Sequence, residues 1–158
     1  MTLFLCKFRH AAEYMAAIIV GGVVYGAIET VCRGYTHPSM LVTGGLCFAG
    51  LYAIEKRTHM KLLPRALVGA LLITAAEFAA GCICNLWLGW DVWDYSHLHP
   101  NLWGQICLPF TVLWALLSVP AYYLASMLHA AIGDQAPAPS SDTSESPDAS
   151  PSDSDLSP

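Results

Sequence analysis

Apolar residues in this chain fall into four long runs separated by short polar interruptions, and a polar C-terminal segment then breaks the pattern. The first run, residues 14–28, follows Lys7, Arg9 and Glu13 and predicts a membrane helix over residues 11–32, near the ~20 residues that cross a bilayer. A signal peptide also opens on bases and an apolar stretch, but no small-residue cleavage site before a polar segment follows. The second run predicts a shorter helix at 39–54. Its fifteen-residue core, at ~1.5 Å per residue, falls short of the ~30 Å hydrocarbon thickness. The third predicts a helix over 62–88, with Pro64 tolerated in the first turn. The fourth, 102–131, contains Pro109 and Pro120, where kinks are expected. The fold class expected is an all-α membrane protein of four transmembrane helices, residues 1–133. A disordered acidic Ser/Pro-rich tail, 134–158, has too little apolar surface to offset its ordering entropy.

Composition agrees with the pattern. Only 12% of residues are charged, about half the share in a soluble domain. The net charge of −5 is placed unevenly: six acids and no Lys or Arg follow residue 133, and the remainder carries six acids and seven bases, +1. No basic stripe supports nucleic-acid binding. Six cysteines without a CxxC pair define neither a disulfide framework nor a zinc finger. Four spans put Lys7, Arg9, Lys56, Arg57, Lys61 and Arg65 on one side and only Arg33 on the other. The positive-inside rule then predicts both termini in the cytoplasm, with Trp87, Trp90, Trp93 and Trp103 at the outer interface.

Two stretches resemble one another. Glu29, His37-Pro38 and Gly44-Gly45-Leu46-Cys47 precede or lie in helix two; Glu77, His99-Pro100 and Gly104-Gln105-Ile106-Cys107 precede or open helix four. A tandem repeat of two-helix units is one reading, and it sets Glu29 and Glu77 at similar depth in the outer leaflet. Chance recurrence of Gly and Cys is the other. Gly22-x-x-x-Gly26 permits close helix approach, or is equally chance.

Glu77 is the most informative residue, standing in a run free of other charge from Ala66 to Trp90. A charge at the bilayer centre costs at least ~2.5–3.5 kcal/mol on insertion scales, so it faces other helices or water, or is protonated by desolvation, and the functional reading is an ion, proton or substrate contact. Its structural alternative is a hydrogen bond between helices, to Tyr25, Tyr95, a Trp or Asn101. Glu29, four residues after Tyr25, favours that structural role. Asp94, Tyr95, Asn101 and Gln105 complete the candidate substrate- or ion-binding set. Asn101 and Gln105 share a face at the start of helix four, where Asn101 is also an N-cap candidate. Asp91, Asp94, His97 and His99 match no closed metal site. Walker A, G-x-S-x-G, H-E-x-x-H and GxGxxG sequences are absent. The expectation is therefore neither an enzyme nor a protein with a metal or cofactor.

Tyr25-Gly26-x-x-Glu29, Glu77 with Gly81, and Trp93-Asp94-Tyr95-Ser96 followed by Asn101, Gly104, Ile106-Cys107-Leu108 and Trp114 form a recurring set. Over residues 14–124 the chain resembles the small bacterial membrane proteins of the Putative ABC-transporter type IV, or CmpB-like permease, family. It carries His37-Pro38 and Gly44-Gly45 where that family has a Gly-Pro stretch. The resemblance implies a permease of the bacterial inner membrane. Four short helices enclose little cavity alone, so a substrate path is expected to need a homo-oligomer or an ATPase-bearing partner subunit. The competing expectation is a non-transporting membrane scaffold or sensor.

Overall fold

The computed structural model describes residues 2–58 and 60–133; the tail expected to be disordered lies outside the described residues. Helix α1 spans Thr2–Arg33 and gives way at Gly34, whose φ of 80° is left-handed. Helix α2, Pro38–Arg57, starts with Pro in its first turn, and the Ser39 amide donates to His37 Nδ1 at 3.3 Å. It is 20 residues long, enough for ~30 Å, so the short span expected at 39–54 is corrected. The added C-terminal turn stays helical because Glu55 and Lys56 pair inward, with Arg65 at 2.5 Å and with Glu13.

Helix α3, Leu62–Gly81, runs on into a π-helical turn, Cys82–Trp87. Helix α4, Leu108–Gly133, begins six residues later than expected. The intervening residues form a two-stranded antiparallel ribbon, β1 Asn101–Leu102 with β2 Ile106–Cys107. Trp103 and Gly104 turn it with φ values of 52° and 69°, which a helix cannot accommodate. Asn101 and Gln105 are therefore not helix neighbours, and Pro109 falls in the first turn of α4.

α1 packs along α2, α3 along α4, and α2 joins the two pairs, while α1 and α4 hardly touch. Four helices are long and apolar enough to cross a membrane: Phe8–Arg33, Pro38–Arg57, Leu62–Trp87 and Leu108–Ile132. Their outward faces carry exposed aliphatics such as Val31, Leu71 and Leu116, as a lipid-facing surface requires. This is a multi-pass membrane architecture. The two helix pairs do not superimpose motif on motif, because Gly44–Cys47 lies inside α2 and Gly104–Cys107 in the ribbon before α4.

One buried cluster, Ala17, Phe48, Tyr52 and Ala125, closes the bundle toward the end where α2 gives way to α3. A second, Met40, Cys84, Val92 and Trp93, closes the end that bears the aromatic loop.

Candidate functional site

The loop between α3 and α4 is built by one buried amide. Asn85, in the π-helical turn, donates to the Trp93 carbonyl at 2.9 Å and to Gln105 Oε1 at 2.8 Å, and accepts from the Val92 amide at 2.8 Å. Gln105 extends the lattice by donating to the Trp103 carbonyl, and its own carbonyl accepts from Trp93 Nε1 at 3.0 Å. Asn101 donates to the Leu98 carbonyl at 2.7 Å and accepts from the Gly104 amide. Both residues thus fold the loop, and neither borders the two cavities described below. Sequence reasoning missed Asn85. Its signal was a lone amide at the end of an apolar run, since such side chains cross-link helices.

With the loop fixed, Tyr95 points back to α3. Its hydroxyl donates to Glu77 Oε1 at 3.0 Å, while Trp114 Nε1 of α4 donates to Oε2 at 2.8 Å. Burial and the facing Glu77 raise the Tyr95 pKa, so it stays a proton donor. Glu77 is 3% exposed, and among the described residues no cation lies within ion-pair distance of it. Its two acceptor bonds come from neutral groups.

Glu29 has a different setting. Arg33 Nη1 pairs with its Oε1 at 2.7 Å and Thr36 donates to Oε2. Arg33 also donates to the Val92 carbonyl at 2.8 Å, tying the end of α1 to the aromatic loop. Tyr25, the partner anticipated from its spacing, instead leans toward Trp114, their ring centroids 6.3 Å apart. Asp94 is exposed, and both its oxygens accept from Ser96; those bonds hold its carboxyl below the usual range. The tryptophans divide by exposure: Trp87, Trp90 and Trp103 are exposed, while Trp93 is buried within the same loop. Its indole N–H is spent on the Gln105 carbonyl.

Two cavities meet in the gap between α1 and α4. The first, about 220 Å³, is almost wholly apolar and has Glu77 as its one carboxylate. The second, about 450 Å³, is bordered by Glu29, Arg33, Asp94, Tyr95 and His97. Tyr25, Met40 and Trp114 wall both. The structure thus brings Glu77, Tyr95, Glu29 and Asp94 around one paired cavity. Trp114 joins them as a direct partner of Glu77.

No curated protein and no solved structure matches this chain. Residues 18–139, well over half the chain and including all four candidate cavity residues, match the family model described as Putative ABC-transporter type IV. The chain belongs to that family.

Proposed function

We propose that this protein is the membrane-embedded component of a transporter, with an outward-facing polar site formed by Glu77, Glu29, Asp94 and Tyr95. The observation that carries this reading is Glu77: a nearly fully buried carboxylate beside a cavity, with no cation paired to it among the described residues. An intramembrane acid with an open neighbouring space is the ordinary signature of a substrate, ion or proton path. The charge bias of the turns supports a bacterial inner membrane with both termini cytoplasmic, which sets the paired cavity toward the outside. Four helices enclose little volume, which favours a second copy or an ATPase-bearing subunit as partner. The chain itself acts without catalysis.

A scaffold or sensor is the competing reading, favoured by the two hydrogen bonds that already satisfy Glu77. Uptake of a panel of labelled solutes into proteoliposomes separates the two, with and without any co-purifying ATPase subunit. Transport predicts that at least one solute enters faster than in empty vesicles. It also predicts that Glu77→Gln abolishes this at unchanged membrane abundance. Loss of abundance with no flux in the unmodified protein sinks it.

A further inference from the structure

The character of the paired cavity narrows what it can hold, granted that the Glu77 site is a binding site. α1 and α4 converge at the buried Ala17 and Ala125 and separate toward the aromatic loop, and the two cavities occupy that gap. The charges around them do not balance. Among the described lining residues, Glu29, Asp94 and Glu77 face Arg33, which is already committed to Glu29, and the imidazole of His97.

A chain of rings runs along the wall beside Glu77, amid aliphatic side chains. Tyr95 stacks on Phe110 at 4.6 Å, Phe110 lies 6.1 Å from Trp114, and Trp114 lies 6.3 Å from Tyr25. Aromatic faces attract cations, most strongly where water is excluded. A small metal ion is poorly served here. Calcium requires six to eight oxygen ligands, and the first cavity offers little beyond one carboxylate amid hydrocarbon. An anion meets the same excess of acids. A carboxylate has about four lone-pair sites, so Glu77 keeps capacity after Tyr95 and Trp114 have taken one each.

We propose that the paired cavity binds a lipophilic organic cation. Its ammonium sits beside Glu77, and its aromatic or branched aliphatic body lies against Tyr25, Phe110 and Trp114. The gap between α1 and α4 lets such a ligand enter sideways, from the bilayer as well as from water.

Calorimetric titration of the purified full chain with benzyltrimethylammonium tests this, with phenylmethanesulfonate as the anion of similar size. The expected result is saturable binding of one ammonium per chain, preferred over the sulfonate by at least about tenfold, as a desolvated cation–ring and carboxylate site implies. Glu77→Gln should weaken the ammonium by at least about the same factor while keeping the monodisperse elution of the parent. Should that variant not fold, the ammonium-to-sulfonate preference of the unmodified chain decides alone. Equal affinity for the two ions, or full ammonium affinity in a folded Glu77→Gln protein, overturns the proposal. Ammonium binding without flux leaves this ligand assignment standing and removes the transport reading. Flux of another solute without ammonium binding does the reverse.

Discussion

Glu13 and Glu77 are both almost fully buried, 1% and 3% exposed, yet only Glu13 has an amine against it. Lys56 pairs with Glu13, Tyr52 donates to the same carboxylate at 3.2 Å, and His129 Nδ1 lies 3.2 Å from the Tyr52 hydroxyl. Removing one member of a buried pair strands the other, whereas removing both does not. Arg9 and His10 also reach Glu13, at 3.8 and 3.7 Å, so Lys56→Met is expected to cost about 1.5 kcal/mol, the worth of one charge-assisted hydrogen bond, read as a lowered midpoint in thermal unfolding of the detergent-purified protein. The double variant Glu13→Met with Lys56→Met should recover most of the loss; a double variant no better than the single would refute the pairing argument. Glu77 was legible from the sequence because nothing charged surrounds it. Glu13 was not, since it follows Lys7 and Arg9 and so resembles a solvated flank. The donors to Glu77 lie 18 and 37 residues away, a separation that spacing alone cannot resolve into contacts.

Among the elements, α1 and α2 form the closest pair, and glycines are the reason. A side chain at Gly45 would meet the Ile18 backbone oxygen at 2.6 Å, and one at Gly22 the Leu41 oxygen at 2.8 Å. Gly26 sits against the Leu41 side chain, and Gly44 against Tyr25. The Gly22-x-x-x-Gly26 spacing, read as either contact or chance, thus lies at a real helix contact. Gly45→Leu is expected to force the pair apart at a cost above the ~1–3 kcal/mol typical of overpacking. Loss of a disulfide cross-link between cysteines engineered on facing positions of α1 and α2 would register it; an unchanged cross-linking yield would show that the contact is loose. Hydropathy located the four helices because lipid demands long apolar runs. It misplaced the start of α4 because Leu102, Ile106 and Cys107 are as apolar in a ribbon as in a helix. What breaks a helix there is the positive φ at Trp103 and Gly104, and Gly104 is held in that turn where a side chain would meet Asp94 Oδ1 at 2.6 Å.

Across the whole molecule, one end is closed by ion pairs and the other by an amide lattice beneath exposed rings. Glu13–Lys56 and Glu55–Arg65 lie at the first end, where Arg65 also rests 4.8 Å over the Tyr122 ring. The bases that the charge count treats as a solvated turn are thus partly built into the bundle, which leaves their bias intact as an orientation signal. In a background with Cys32 and the other native cysteines replaced by Ser, a membrane-impermeant maleimide applied to intact cells should label His99→Cys in the aromatic loop and spare Arg57→Cys; the opposite pattern would invert the proposed topology. Both positions are exposed in the structure.

The hydrogen bond from Trp114 to Glu77 also constrains how the protein is made. During synthesis α3 reaches the bilayer while its acid still lacks both donors, because Tyr95 and then Trp114 have yet to leave the ribosome. The first helical pair carries its own fastening in Gly22, Gly44 and Gly45 and can settle at once. The second pair cannot. α3 reaches its resting state only as α4 follows it in, so the last helix to emerge completes the one before it.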